Sequence, residues 1–505
     1  ALNKTEDYKY FIERAQSYKN VLDPSTGFMR ARMQNFWFSP FDPSEVNFNY
    51  TEANAWQYSY SVTQDMSGFA QFLGGNEKLA EKLDKLFTAE SKTTGREQAD
   101  ISGLIGQYAH GNEPSHHIAY LYNFVGKPFK TQELVHKIQY EMYSNKPDGL
   151  CGNEDCGQMS SWLVMSAMGI YSVCPGTDVY AIGTPMFKKI TLKLENGKSF
   201  IIKANDLSEK NFYIKTAKLN GKDYMKSFLT QNDIMNGGEI VFEMNNKPSD
   251  KWGIGNENEP KTAITEHLIT PVPFIVKGKS TFMNEQTIEL GCLEKNASIF
   301  YTLDGKIPTK NSLKYTQGFV IKATTLINAI AVKEGSPDSK IMTTNISIIP
   351  EGRSISIKNP FANQYAAGGE LALIDMLRGG ENFKTGTWQG YEGIDLEATV
   401  KLKENQTIKE LRIGFLQDMG AWIFYPTQVE YFTSSDGIQF KSVGIVKNEV
   451  PQNKEGVMMQ DFVKKLNGIK AQYIKVVATT IGKCPTWHLG AGGKAWIFAD
   501  EIIIK

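Results

Sequence analysis

Three short segments of the sequence concentrate carboxylates, amides and aromatic rings. They are YTEANAWQY from Tyr50, HGNEPSHH from His110 and GNEDCGQMSSW from Gly152. Acetal cleavage needs an acid that protonates the departing oxygen and, in an inverting enzyme, a carboxylate roughly 6.5–9.5 Å away that activates water. Aromatic faces and amide groups are what ligand pockets use for apolar contact and orientation. Together the three segments predict a site that cleaves a sugar.

The same residues also have simpler interpretations. Glu52 and Asp155 each precede a predicted helix, where a carboxylate can cap the first amides and face the positive end of the helix dipole. Trp56 and Trp162, taken singly, are typical of a hydrophobic core. The adjacent pair His116–His117 disfavours zinc, because neighbouring helical residues point about 100° apart and classical zinc ligands lie at i and i+4.

Helices are the elements that must position these segments. Residues 1–178 show helical periodicity, as in Lys78–Phe87 and Thr131–Tyr143, with the polar segments in the loops. Thr5–Tyr18 also predicts an amphipathic helix. Helical hairpins whose loops converge at one end of a bundle or toroid would bring the three segments together.

After residue 178 the pattern changes to the two-residue alternation of β-strands. Residues 179–261 predict a β section and linker with a hairpin over Ile190–Ala204, residues 270–348 a small β-sandwich, and residues 350–505 a jelly-roll sandwich. Strands are predicted at Thr287–Leu290, Ser298–Thr302, Gly318–Ile321, Thr325–Val332, Ile408–Phe415, Gln428–Ser434 and Tyr473–Thr479. The predicted fold class is multidomain α+β.

Composition narrows the classes of function. The 505 residues include 55 basic and 55 acidic side chains, so no net charge favours nucleic acid or an anionic membrane surface. No apolar run reaches the roughly 18 residues that cross a bilayer. Of the five cysteines, Cys151 with Cys156 or Cys174 predicts either a disulfide or small buried thiols, and both interpretations stay open.

The three polar motifs resemble glycoside hydrolase family 92, the calcium-dependent exo-acting α-mannosidases. The resemblance covers about residues 1–250 and continues through MSAMGIYSVCPG from Met165 and YAIGTPMF from Tyr180. It implies part of an (α/α)6 toroid and hydrolysis of terminal α-mannosides with inversion. It begins in mid-domain, so we expect the family's amino-terminal sandwich and first toroid helices on a removed segment or a partner fragment.

The resemblance also implies roles for individual residues. Glu52 is the expected general acid and Asp155 the expected base, while Asn153 stands where the family often has an aspartate. The implied calcium prefers hard oxygen ligands, which makes Asn112 and Glu113 the candidates. The residues expected to line the pocket are Trp56, Gln57, His116, His117 and Gln158.

The later units carry resemblances of their own. SIFYTLDGKIPT from Ser298 is similar to the small C-terminal β domain of chitobiases. Residues 350–505, with LIDMLRGGENFKTGTWQGY from Leu373, resemble a discoidin or coagulation factor 5/8 type C domain, a fold also used as a carbohydrate-binding module. The resemblance implies a structural calcium near Asp375 and Glu501, and the alternative is that both are charged surface residues.

These inferences predict an exo-α-mannosidase that is periplasmic, secreted or attached to the cell surface and that acts on mannose-containing glycans with calcium. Two alternatives stay open. One is a non-catalytic glycan-binding or scaffold protein derived from such an enzyme, which the substitution at Asn153 favours. The other is a glycosidase of another (α/α)6 family, or a phosphorylase, which would not depend on calcium.

Overall fold

A computed structural model describes residues 3–33 and 35–505. Helices dominate its first 178 residues and β-sheets the remainder, which confirms the multidomain α+β class. The α-helices are α1 (Thr5–Arg14), α2 (Ala55–Tyr58), α3 (Met66–Leu73), α4 (Asn76–Thr88), α5 (Pro128–Glu141), α6 (Gln158–Ala167) and α7 (Gln231–Met235). Short 3₁₀ helices cover Ser17–Asn20, Thr63–Asp65, Glu113–Ser115, Ile118–Val125, Asn363–Tyr365, Ala372–Ile374, Phe383–Thr385 and Met419–Ala421. Within the described ranges, no helix has both the length and the apolar content of a membrane span.

Leucine spacing explains how the helical core forms. Leu79, Leu83 and Leu86 of α4 lie at i, i+4 and i+7, so they share one face, and each is fully buried. The predicted helices over 78–87 and 131–143 are confirmed by α4 and α5. The helix predicted over Thr5–Tyr18 ends at Arg14, and none of its residues is buried. Its apolar face is therefore not part of this core.

Short strand pairs between the helices were not predicted. Three of them are Leu22–Asp23 with Phe28–Met29, Glu45–Val46 with Thr94–Gly95, and Leu104–Ile105 with Tyr108–Ala109. A fourth pair, Arg32–Met33 with Phe36–Trp37, extends a sheet of the later β region, because Phe36 pairs in parallel with Ile275. The helical region is thus joined to that sheet by main-chain hydrogen bonds.

Residues 170–245 form two sheets beside the helices. A three-stranded sheet contains Ile170–Tyr171, Val179–Ile182 and Phe228–Thr230, and a five-stranded sheet contains Lys189–Lys193, Ser199–Asn205, Tyr213–Leu219, Lys222–Asp223 and Gly238–Asn245. The predicted hairpin is confirmed, with Leu192 opposite Phe200 and the turn closed by Gly197 at a φ of +79°. Phe200, Ile202 and Ala204 alternate inward and are buried, which fixes the strand register.

The next β region combines two sheets over a common core. Its strands are Phe274–Lys277, Thr281–Phe282, Gln286–Gly291, Ser298–Thr302, Leu313–Lys314, Phe319–Ile321, Thr325–Val332 and Met342–Ile348. The four strands predicted here are confirmed to within a residue or two. Ile288, Ile327 and Ile346 are fully buried between the sheets.

The last β region is built on two strands of 22 residues each. Its strands are Ser354–Ile357, Gln389–Glu392, Leu396–Gln417, Gln428–Ser434, Lys441–Lys447, Met458–Thr479 and Trp496–Ile504. The predicted strands Ile408–Phe415 and Tyr473–Thr479 are segments of the two long ones. Register shifts between Lys401 and Gln406 interrupt their pairing, and such irregularities let a long strand bend around a core.

Candidate active site

The Glu52 loop is held from behind by a buried capping network. Asn54 caps α2. Its side-chain Oδ1 accepts the Trp56 main-chain amide at 3.1 Å, and its main-chain amide donates to Gln57 Oε1 at 3.0 Å. Gln107 accepts the side-chain N–H groups of both residues. Gln57 Nε2 donates to the Gln107 main-chain carbonyl and Asn54 Nδ2 donates to Gln107 Oε1, both at 2.9 Å. Glu52 itself is exposed, with a φ of +54°. The helix cap is therefore Asn54, and the capping interpretation of Glu52 is wrong.

Two residues expected to line the pocket belong partly to this support. Gln57 is 1% exposed and both ends of its amide are bonded inside the protein, so it holds the loop rather than offering a free group. This corrects the expected ligand-facing role. Trp56 is half-buried and meets the Phe28 ring edge-on at 4.7 Å. Part of the Trp56 ring is accessible, and its role as a sugar platform stays a prediction.

Asn112 links the second segment to the first. Its Nδ2 donates to the Glu52 carbonyl at 3.0 Å, and the residue is 3% exposed. Its Oδ1 is buried without a hydrogen-bond partner among the described residues. An orphaned amide oxygen fits a hard cation or a donor from a ligand, since an unsatisfied buried acceptor costs free energy. Glu113 follows it, half-buried, at the start of a 3₁₀ helix.

His116 positions other groups and does not face outward. It is 2% exposed, and its Nε2 lies 2.9 Å from the His110 carbonyl. Because a carbonyl only accepts, Nε2 carries the proton and Nδ1 accepts from Gln158 Nε2 at 3.1 Å. Burial lowers the pKa of His116, so the ring is neutral at neutral pH. The expected pocket-lining role of His116 is thus corrected to that of a support for Gln158.

The neighbouring histidines are also neutral. His110 bonds the hydroxyls of Tyr108 and Tyr143 at 2.8 and 2.7 Å, and burial lowers its pKa to about 2. His117 Nε2 donates to the Tyr60 carbonyl at 2.9 Å, and burial lowers its pKa to about 4. Trp162 is fully buried beside them, as its core interpretation expects. This cluster is a rigid, uncharged floor beneath the loops.

The third segment holds Asp155 in a strained turn. Asp155, Cys156 and Gly157 have consecutive positive φ values of +45°, +57° and +90°. Non-glycine residues rarely adopt this conformation, and strain of this kind clusters at functional sites. Gly157 is the N-cap residue of α6, and Glu154 accepts the Ser160 amide at 3.1 Å. Asp155 is exposed and is not the cap, so its capping interpretation is also wrong.

Close backbone contact brings the second and third segments together. A Cβ on Gly152 would lie 2.4 Å from the Gly111 carbonyl oxygen, and one on Gly111 would lie 2.0 Å from Ser102 Oγ. A side chain at Gly152 would therefore push the two loops apart, and one at Gly111 would collide with Ser102. Since Asn112 next to Gly111 also holds the Glu52 carbonyl, the three predicted segments form one contiguous group.

Several residues of this group were missed from the sequence. Asn153, two residues before the expected base, donates from Nδ2 to Asp100 Oδ1 at 2.9 Å, so a carboxylate from a separate loop lies beside it. Gln107 is fully buried under the Glu52 loop. Neither lies in a dense polar motif, so only the three-dimensional contacts identify them.

All five cysteines are free thiols, and the disulfide prediction is wrong.

A second polar site lies in the last β region. Glu501 is 1% exposed; its Oε2 accepts the Met376 amide at 2.9 Å, while Oε1 is buried without a partner among the described residues. Burial, with Asp375 nearby, raises the pKa of Glu501 to about 9. Burial likewise raises the pKa of Asp375 to about 7. The surface interpretation of Glu501 is therefore wrong. Across the described residues, no group of three or more His, Cys, Asp or Glu side chains is arranged to bind a metal.

Comparison with known families assigns two regions of the chain. Residues 1–246 match the glycosyl hydrolase family 92 catalytic domain, and residues 277–343 match the chitobiase/β-hexosaminidase C-terminal domain. Both resemblances stated for these regions are confirmed. The discoidin resemblance of the last region stays a prediction.

Individual relatives cover about half of the chain. An uncharacterized secreted glycosidase from Arthroderma benhamiae is 29% identical over 212 residues, which are 41% of this chain and 25% of that protein. A family 92 α-mannosidase from Bacteroides thetaiotaomicron, solved with mannoimidazole, is 40% identical over 52% of this chain and 35% of its own, with a TM-score of 0.49. An inverting family 92 mannosidase from the same species is 35% identical over 52% and 37%, with a TM-score of 0.47. The chain thus spans between a quarter and two-fifths of these relatives.

Proposed function

We propose that the chain carries the acid and base of an exo-acting α-mannosidase that releases terminal mannose from glycans with inversion. One observation carries the proposal. Glu52 and Asp155 stand on loops joined through Asn112 and the Gly111–Gly152 contact, and neither carboxylate makes a hydrogen bond or ion pair with another described residue. The match to a glycosyl hydrolase catalytic domain over residues 1–246 supports it. The substrate class is the one named for the two bacterial relatives.

In this mechanism each carboxylate has one task. Glu52 protonates the glycosidic oxygen as the bond to the leaving group breaks, and Asp155 removes a proton from the water that attacks the opposite face of the sugar. Asn153 orients the base side of the site and holds Asp100 close to it. The neutral histidine floor keeps the loops in place without adding a competing charge.

Calcium is the cofactor we propose for this site. The buried, unpartnered Oδ1 of Asn112 and the carboxylate of Glu113 next to it supply the hard oxygens that calcium prefers. The remaining ligands would be carbonyls, water and the sugar, since no cluster of three ligating side chains occurs among the described residues. When bound, calcium supplies a positive charge that holds sugar hydroxyls and favours ring distortion. Asn112 also fixes the Glu52 main chain and so couples the two functions.

We propose that the last β region is a discoidin-like module that binds carbohydrate. Trp422 is 40% exposed and Trp487 50% exposed, and His488 lies between them with ring centres 6.1 and 5.9 Å away. Exposed aromatic rings of this kind suit stacking on a sugar face. Asp375 and Glu501 are its proposed structural cation ligands, because the free Oε1 of Glu501 lacks a partner. A protein with these parts would act in the periplasm, at the cell surface or after secretion.

The direct test is mannose release from a panel of α-linked mannobioses, with and without a chelator. The proposal predicts release that calcium restores after chelation. Release that ignores chelation would favour a glycosidase of another (α/α)6 type. The presence of Asn153 favours a second candidate, a glycan-binding protein without turnover. Binding of mannobiose with no release at any calcium concentration would support that candidate.

A further inference from the structure

A cavity of about 460 Å³ lies where the amino-terminal region meets the last β region. One wall comes from Ala31, Arg32, Met33, Phe38, Phe48 and Asn49, and the other from Arg378, Gly380, Asn382, Lys384, Thr385 and Thr387. Phe48 stacks on Tyr365 at 6.0 Å with an angle of 7° between the rings, which ties the two walls together. The cavity is therefore a feature of the assembled chain and of neither region alone.

Two positive charges of the cavity have no counter-charge among the described residues. Its described lining includes Arg32, Arg378 and Lys384 and no carboxylate. Arg378 is neutralised by Asp500 at 2.7 Å and by Asp461. Arg32 and Lys384 have no ion-pair partner among the described residues.

Aromatic rings hold the two unpaired cations in place. Arg32 Cζ lies 5.2 Å from the centre of the Trp37 ring, and Lys384 Nζ lies 5.6 Å from the centre of Phe48. Burial lowers the pKa of Arg32 to about 10, so the guanidinium is still charged at neutral pH. Arg32 is thus a partly desolvated cation without a counter-charge, which favours an anionic ligand, and the exposed Lys384 adds a second positive charge. Asn49, Thr385 and the other polar lining residues add neutral hydrogen-bonding groups.

The cavity is close to the proposed acid along the chain. Asn49 lies three residues before Glu52, and three residues span at most about 11 Å even when fully extended. The same segment thus lines the cavity and leads directly to the loop that carries Glu52. A glycan with its terminal sugar at Glu52 can reach the cavity with a neighbouring sugar.

We propose that this cavity binds an anionic group, phosphate or carboxylate, carried by a glycan. Arg32 and Lys384 would pair with the anion from opposite walls, and the amide and hydroxyl groups would bond the attached sugar. The choice of a glycan rests on the proposed function, whereas the preference for an anion rests on the cavity alone. The last β region would then contribute directly to substrate selection.

Calorimetric titration of the 505-residue chain at low salt tests this proposal. The ligands are mannose 6-phosphate, glucuronate, neutral mannose and inorganic phosphate. We expect an anionic sugar to bind more tightly than mannose, and Arg32→Gln and Lys384→Gln each to weaken it about tenfold, as loss of a charge-assisted hydrogen bond does. Lys441→Gln, at an exposed lysine of the same β region, is the matched control and should leave binding unchanged. The tighter of the two anionic sugars identifies phosphate or carboxylate as the group.

Two results would overturn the proposal. One is equal affinity for mannose and both anionic sugars, or affinity that neither cavity variant changes. The other is binding of inorganic phosphate as tight as that of the sugars, which would remove the glycan from the account. Hydrolysis of neutral mannobiose should persist in both variants. Anion binding without any mannobiose hydrolysis would instead count against the proposed function and leave the cavity assignment intact.

Discussion

The two ends of the chain place their carboxylates in opposite environments. In the amino-terminal region Glu52 and Asp155 are exposed, and the buried groups beneath them are neutral histidines. In the last β region Glu501 is buried with a free oxygen, and burial raises its pKa to about 9. The first arrangement leaves carboxylates free to exchange protons with a substrate. The second places Glu501 near Asp375 with one carboxylate oxygen unpartnered among the described residues, which suits a bound cation.

Apart from the two carboxylates themselves, the contact between the Gly111 and Gly152 loops has the largest expected effect on activity. Gly152→Ala would place a methyl group 2.4 Å from the Gly111 carbonyl oxygen and force the Asp155 loop away from Asn112. Since displacement of reacting groups by about 1 Å can cost about 100-fold in rate, we expect about a 100-fold loss of mannose release. Gly420→Ala in the last β region, where the nearest atom is at 3.6 Å, is the control. Equal activity in both variants would show that the loop contact does not position the base.

The second prediction concerns the cation site. Calcium at a hundredfold excess over its Kd should stabilise the last β region by about 2.7 kcal/mol. Glu501→Gln should abolish that stabilisation, because the free carboxylate oxygen is lost, whereas Glu404→Gln at an exposed site should keep it. Thermal unfolding with and without chelator measures the difference. A calcium shift retained in Glu501→Gln would place the ion elsewhere.

The smallest expected effect is the loss of folding stability at acid pH that the buried histidine cluster causes. The pKa of His117 is about 4 in the folded chain, below the ordinary 6.5. Between these values only the unfolded chain binds the proton, so stability is complete above pH 6.5 and falls as the pH drops towards 4. For this half-buried ring we expect a loss of about 1–3 kcal/mol. His117→Gln should reduce, and not abolish, the pH dependence of stability in denaturant unfolding between pH 4 and 7, because the pKa values of His110 and His116 are lowered as well. An unchanged slope would contradict the prediction.

The spacing of residues along the sequence correctly predicted helices and hairpins that are stabilised by neighbouring residues. The leucine spacing of α4 and the turn at Glu195–Gly197 gave a helix and a hairpin where the structure has them. The segment Ile118–Val125 is different, because it is buried along its whole length and forms a 3₁₀ helix. Its apolar residues show no single face, so periodicity could not identify its conformation.

Long-range contacts explain what the sequence did not predict. The pairing of Phe36 with Ile275 joins residues far apart in the chain, and no local signal marks it. The polar motifs predicted Glu52 and Asp155 as acid and base, and that assignment stays a prediction. The placement of Gln57 and His116 depends on burial and on partners such as Gln107. Residue type alone predicted a sugar-facing role for them. Their hydrogen bonds show that they support the loops.

One measurement tests the division of labour between Glu52 and Asp155 most directly. Glu52→Gln and Asp155→Asn are compared on an α-mannobiose and on an aryl α-mannoside whose leaving group needs no protonation. Loss of general acid or base catalysis should cost about 10²–10⁴-fold on the mannobiose for either variant. On the aryl mannoside Glu52→Gln should retain most of its rate, and Asp155→Asn should remain as impaired as before. Full activity of either variant on the mannobiose, or equal impairment of both on the aryl mannoside, would contradict the assigned roles.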